Sequence, residues 1–215
     1  MKKSFIISII ITIIATGIAI WFYMVSEGSI PIHWNIYGEV DGYGSPATIF
    51  LFPGTSLFTI ILFLLIPKID PKGENIKKSG PLLPLLMFLI SGLMFGLEII
   101  TIMTTNNPDT FSINIFISLL LAVLFVVMGY YLPLVKHNYM LGIRTPWTLY
   151  SEDIWVKTHI ASRYWFIGVG VLFLICMFIK EPYNLAIPLI SMTVVLIGIL
   201  AYSYILFVSE KKSKK

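Results

Sequence analysis

Apolar residues recur in six long blocks along this 215-residue chain, at roughly 4–25, 48–67, 81–103, 113–134, 164–180 and 185–208. An α-helix rises about 1.5 Å per residue, so about 20 apolar residues cross the roughly 30 Å hydrocarbon core of a bilayer. The pattern therefore predicts six transmembrane helices. The fifth block is the shortest and has room to extend into the polar segment before it. The first block follows Lys2 and Lys3 but is longer than a signal-peptide core, and no small-x-small cleavage site closes it, which predicts a retained helix. The predicted fold is all-α: a polytopic membrane helix bundle in which residues 1–215 form a single membrane domain.

Composition agrees with that pattern. The chain is 57% hydrophobic and 12% charged, with a mean hydropathy of +0.89. A soluble domain of this size would be left with large apolar patches facing water. The single cysteine, Cys176, lies in an apolar block, so no intrachain disulfide forms and the redox compartment stays open.

The charges set the orientation. Six spans put both termini on one side. With that side cytoplasmic, Lys2, Lys3, Lys68, Lys72, Lys77, Lys78, Lys136, Arg144, Lys157, Arg163, Lys211, Lys212, Lys214 and Lys215 fall inside, which is 14 of the 15 basic residues; only Lys180 falls outside. The loops are short enough for the positive-inside rule to apply. Five acids fall on each side (Glu27, Glu39, Asp41, Asp109 and Glu181 outside; Asp70, Glu74, Glu152, Asp153 and Glu210 inside), so the inner face is basic and the outer face acidic. A basic inner face is drawn to anionic headgroups, which makes membrane lipid a partner. No nucleic-acid-binding motif accompanies it, so direct nucleic-acid contact is not expected.

Two connections are too patterned to be plain links. Residues 26–47 form an outer segment containing IPIHWNIYGEVDGYGSP. Gly38, Gly42 and Gly44 allow positive φ, and Asp41-Gly42 is a turn signal, so a compact, turn-rich extracytoplasmic cap is expected. The rings of Trp34, Tyr37 and Tyr43 suit the headgroup layer. Glu39 and Asp41 fall short of a calcium loop, and His33 beside Trp34 reads as a packing or titrating residue.

Residues 135–163 form the second patterned segment, on the inner side. Thr145-Pro146 excludes helix just before the proline, and Gly142 to Trp147 reads as irregular backbone. Ser151 is a good N-cap, with Glu152 and Asp153 suited to the positive end of a helix dipole. Trp155, His159 and Ser162 then share one face, and Asp153 precedes Lys157 by four residues. A short amphipathic helix at the inner surface, running into the fifth span, is expected. Arg144 has five donors with which to tie loop carbonyls or to grip Glu152 or Asp153. Trp147 and Trp155 serve as interface anchors. The same residues also offer a second role: Arg144, His137, His159 and Lys157 as a cationic patch for an acidic partner. The connector 68–80 has the Pro, Gly and charge of a solvated link.

Glu98 is the one acid inside a span. It reads either as a proton or cation site, or as a side chain that snorkels to the outer headgroups or bonds a neighbouring helix. Gly92 and Gly96 form a GxxxG pair suited to close helix approach. The spans hold no histidine and no HExxH or paired-Glu motif, so an intramembrane enzyme is not expected, and neither is a resident cofactor or metal.

NYMLGIRTPWTLYSEDIWVKTH, followed by Arg163, resembles the signature of the SdpI family of bacterial membrane proteins. PIHWNIYGEVDGYGSP resembles the P-x-H-W-N-x-x-G-x-x-D-G-x-G-S element of an uncharacterised membrane domain that often precedes it. The resemblance implies a multi-pass protein of the bacterial cell membrane that protects its cell from a secreted membrane-active killing peptide. It also implies possible coupling to signalling, in which a cytoplasmic transcriptional repressor is held at the membrane. The implied signature positions are Asn138, Gly142, Arg144, Thr145, Pro146, Trp147, Thr148, Ser151, Glu152, Trp155, Lys157, His159 and Arg163. The outer set is Pro31, His33, Trp34, Asn35, Gly38, Asp41, Gly42 and Gly44. The rival reading is a small-molecule or ion transporter that uses Glu98.

Overall fold

The computed structural model describes residues 2–107 and 112–213, without the side chains of Lys2 and Asn106. Asp109, Lys214 and Lys215, which the charge partition assigned to sides, lie outside the described residues. Eight helices and one hairpin follow in the order α1 (Lys2–Val25), β1 (Ile30–Trp34), β2 (Val40–Gly44), α2 (Leu51–Ile69), α3 (Gly73–Lys77), α4 (Leu82–Asn106), α5 (Ile113–Tyr131), α6 (Pro146–Tyr150), α7 (Glu152–Cys176) and α8 (Tyr183–Ser213). Six helical stretches are long and apolar enough to cross a membrane: Lys3–Val25, Pro46–Ile69, Leu82–Thr105, Ile113–Leu134, Glu152–Cys176 and Tyr183–Ser213. They carry large apolar side chains on their outer faces, among them Ile13, Phe58 and Ile197, where lipid replaces protein neighbours. An even number of spans leaves both ends of the described chain on one face, termed here the termini face. The hairpin lies on the opposite face.

The bundle has two halves. Helix α4 packs on α1 and α2, while α5 packs closely on α7, which packs on α8; the α4–α5 contact joins the halves. Close approach of α5 and α7 depends on missing side chains. A Cβ at Gly129 would stand 2.8 Å from the Arg163 carbonyl oxygen, and one at Gly170 would stand 2.8 Å from that of Ala122. Phe125 fills the seam against Phe166 and Phe173, with ring centroids 5.5 and 6.0 Å apart. Of the expected GxxxG pair, Gly96 lies against the Phe116 ring of α5, whereas Gly92 faces open space. In the other half, hydroxyls join the helices: Thr12 Oγ1 lies 2.6 Å from Ser56 Oγ, which donates to Ser91 Oγ at 2.9 Å.

Two local expectations are corrected here. The fold is helical, as the pattern predicts, and the turn-rich cap is a short antiparallel hairpin. Asp41 and Gly42 lie within β2, and the turn falls at Asn35–Gly38 instead. The helix expected at the inner surface does run into the fifth span: Glu152–Cys176 is one continuous helix, which ends before residues 177–180. Finally, Pro146 and Trp147 are helical rather than irregular. Proline at the first helical position loses only an amide that would have no intrahelical partner, and its φ is already suitable.

Candidate functional site

The signature segment folds on the termini face as a loop held by side-chain hydrogen bonds to its own backbone and to neighbouring elements. Asn138 is fully buried and acts as its organiser. Its Oδ1 accepts from the Met140 and Leu141 amides at 2.8 and 2.6 Å, and its Nδ2 donates to the Lys136 and Leu141 carbonyls at 2.7 and 2.9 Å. Gly142 follows at φ +109°, a backbone conformation that favours glycine. A Cβ there would also stand 2.6 Å from His159 Nε2 and 3.1 Å from Trp155 Cζ2.

Thr145 and Thr148 form a capping box at the start of α6. The Thr148 amide donates to Thr145 Oγ1 at 3.1 Å, and the Thr145 amide to Thr148 Oγ1 at 2.9 Å. Thr148 Oγ1 also donates to the Ile143 carbonyl at 2.8 Å, and Thr145 Oγ1 donates to Ser203 Oγ of α8 at 3.1 Å. Ser151 occupies the N-cap position of α7 as expected, with no side-chain capping bond.

Trp155 and His159 are buried beneath this loop rather than set at an interface or on a cationic patch. Trp155 has no exposed surface; its Nε1 donates to the Val135 carbonyl at 2.8 Å, and its ring stacks on His159 at a centroid distance of 4.2 Å. His159 Nδ1 lies 2.8 Å from the Trp155 carbonyl, so it donates, and Nε2 accepts from the Ile143 amide at 3.1 Å. That pairing fixes the neutral tautomer and leaves neither ring nitrogen for a metal. His137 is also buried, with Nδ1 2.6 Å from Lys72 Nζ. The interface-anchor role of Trp155 and the cationic-patch role of the two histidines are therefore withdrawn. These residues looked surface-directed because hydropathy cannot register burial against distant segments.

What remains exposed is Arg144, Pro146, Glu152 and Lys157. Arg144 Nη1 donates to the Tyr139 carbonyl at 2.9 Å, which is the loop-tying role and not a grip on Glu152 or Asp153. Lys157 Nζ meets Asp153 Oδ2 at 2.6 Å, as the four-residue spacing predicts. Trp147 is half-buried against Tyr204 of α8, with centroids 5.0 Å apart, and Arg163 is half-buried in α7.

The connector 68–80 is more than a solvated link. Buried Asp70 accepts from the Tyr139 amide at 2.9 Å and from the Lys72 amide at 2.6 Å. Asn75 Nδ2 donates to the His137 carbonyl at 2.8 Å, and Ser79 Oγ accepts from the Lys136 amide at 2.9 Å. Nothing in the spacing of 68–80 distinguishes these residues from ordinary connector residues; only the partner loop reveals them. Glu74, by contrast, is exposed, and the Lys77 ammonium bonded to it holds its carboxyl below the usual range. Under the loop, a cavity of about 500 Å³ opens between α4 and α8, walled by Leu86, Leu141, Ile143 and Leu200.

On the opposite face, Asn35 builds the hairpin turn. Its Oδ1 accepts from the Tyr37 and Glu39 amides at 2.9 and 3.1 Å, and its Nδ2 donates to Glu39 Oε2 at 2.9 Å. Gly38 takes φ +77° there. His33 Nδ1 pairs with Asp41 Oδ1 at 2.5 Å in the open. Gly42 and Gly44 lie close to His33 and Ile32 across the ladder, Pro31 is buried, and Trp34 is half-buried. Asn114 at the start of α5 donates to the Ile36 carbonyl at 3.0 Å and fastens the turn to the bundle.

Glu98 has no exposed surface, and neither of its carboxyl oxygens has a hydrogen-bond partner among the described residues. It therefore neither snorkels to the headgroups nor bonds a neighbouring helix, and both bland expectations are overturned.

Six apolar helices with a polar-stapled loop on one face and a hairpin on the other define a multi-pass protein of the cell membrane. Residues 135–208 match the model of the SdpI/YfhL protein family, and residues 10–57 match a domain of unknown function, DUF1648. The chain is similar to the immunity protein SdpI of Bacillus subtilis (strain 168), at 26% identity over 202 residues covering 92% of each chain. The signature loop, α7 and most of α8 thus carry the SdpI/YfhL family match. No solved structure matches it.

Proposed function

We propose that this chain is a non-enzymatic immunity protein whose termini face is cytoplasmic and which protects its cell against a secreted membrane-active killing peptide. The observation that carries this reading is the end-to-end similarity to an immunity protein, spanning both the hairpin and the signature loop. The two-sided architecture supports a sensing role as well. Helix α7 runs unbroken from the signature loop to the hairpin face, so a ligand bound on the hairpin face can bias the packing that holds the loop. In this reading exposed Arg144, Glu152 and Lys157, with half-buried Trp147, present a surface to a cytoplasmic transcriptional repressor.

The test is deletion of the gene and challenge with killing peptides, beginning with the one matched to the Bacillus subtilis relative. Restored protection on complementation is expected, with Arg144→Ala and Trp147→Ala separating repressor control from protection itself. Unchanged sensitivity of the deletion strain would sink the reading.

One observation favours a second reading, an ion or proton pathway. Glu98 is a buried acid whose two carboxyl oxygens have no partner among the described residues. A pH-dependent flux in liposomes that Glu98→Gln abolishes would support it; equal flux from the variant would remove it.

A further inference from the structure

The hairpin face holds a cleft of about 790 Å³ lined by residues of the two separately matched segments and by Ser112 and Ile115 at the start of α5. Tyr37 and Glu39 stand on the hairpin wall; Glu181, Tyr183 and Asn184 stand on the α7–α8 turn. Asn114 Nδ2 holds the walls together, donating to the Ile36 carbonyl at 3.0 Å and to Glu181 Oε1 at 3.3 Å, with Ser112 Oγ 3.5 Å from the same Oε1. The volume is that of a small-ligand site.

Three polar groups face this space with bonding capacity to spare. Glu181 Oε2 has no partner among the described residues, since Oε1 takes both donors. Glu39 keeps Oε1, since Oε2 takes Asn35. Asn184 is 2% exposed, and its Oδ1 is occupied by the Leu185 amide, while its Nδ2 has no partner among the described residues. An amide donor with no protein partner at a cleft wall is free to donate to a group docked there.

We propose that this cleft binds a segment of peptide, taking one amine or guanidinium group between Glu39 and Glu181. The exposed rings of Tyr37 and Tyr183 add a surface suited to a cation. Asn184 Nδ2 and exposed Lys180 at the rim meet peptide carbonyls, and Ile115 and Met177 receive an apolar side chain. The mixture selects a peptide over a simple amine, because an amine alone leaves Lys180, Asn184 and the apolar wall without a partner. Bound there, the peptide bridges the hairpin and the far end of α7. The proposal rests on the immunity reading and gives it a site.

The test places a cysteine at Ile179, on the cleft wall, in a Cys176→Ala background, and labels it with an environment-sensitive dye. The full chain in nanodiscs is then titrated with the killing peptide matched to the Bacillus subtilis relative. A saturable signal is expected, weakened at least tenfold by Glu39→Gln combined with Glu181→Gln. Glu39→Gln alone, at an exposed position that leaves the Asn114 bonds intact, should weaken it several-fold. Glu27→Gln, an exposed acid on the same face outside the cleft, should have no effect. Unchanged affinity in the double variant, or an equal loss from Glu27→Gln, overturns the site. Cells that keep full protection with the double variant leave the immunity reading standing and remove the cleft. A wild-type chain that neither protects nor gives a signal removes both.

Discussion

Trp155 is the residue on which the signature loop rests, and two substitutions separate its contributions. Trp155→Ala empties a site with no solvent exposure, in a cluster with Leu82, Val135 and Leu141. Large-to-small changes of this kind cost about 3–5 kcal/mol. Trp155→Phe keeps most of the ring and its stacking on His159. It removes the indole N–H that donates to the Val135 carbonyl at 2.8 Å, and a buried acceptor left unpaired costs about 1–3 kcal/mol. For a chain of this length, each kcal/mol lowers the melting temperature by about 2–4 °C. The expected shifts are therefore about 6–20 °C for Ala and about 2–12 °C for Phe, with Ala always the larger. The assay is built into the protein: Cys176, its single cysteine, is buried in α7, so a thiol-reactive fluorogenic dye reports its exposure on heating in detergent. Melts of both variants within 2 °C of wild type would refute the claim that Trp155 anchors the loop. Equal losses from Phe and Ala would assign the whole effect to the hydrogen bond and none to packing.

Gly142→Ala should lower the melting temperature too, because it combines a φ of +109° with a Cβ 2.6 Å from His159 Nε2. Backbone strain alone costs about 1–3 kcal/mol, and a melt indistinguishable from wild type would show that the loop relaxes freely. Glu98→Leu should raise the melting temperature, since it replaces a buried carboxyl with no partner among the described residues by an apolar group of similar size. A loss of stability on the same melt would mean that Glu98 has a partner that stabilises the fold.

The local sequence determined a good deal of this protein. Six blocks of apolar residues match the six spans because lipid demands continuous helix with its backbone bonds closed internally, and that demand is written in consecutive residues. Ser151 marks the N-cap position of α7, and the Asp153–Lys157 pair follows from helical spacing; both are local effects. The residues of both motifs were legible as a set, though not the work each performs. Tertiary structure alone decided that Trp155, His137 and His159 are buried, because their partners, Val135, Lys72 and Ile143, lie on other segments or across the loop. It likewise turned Asp70, Asn75 and Ser79 from connector residues into supports of the signature loop. The cleft between Glu39 and Glu181 has the same origin: its walls are 142 positions apart in the chain, and only the packing of the two half-bundles through Asn114 brings them face to face. Spacing along one helix or one turn can be read from a single segment, whereas a hydrogen bond between distant segments exists only once the bundle has closed.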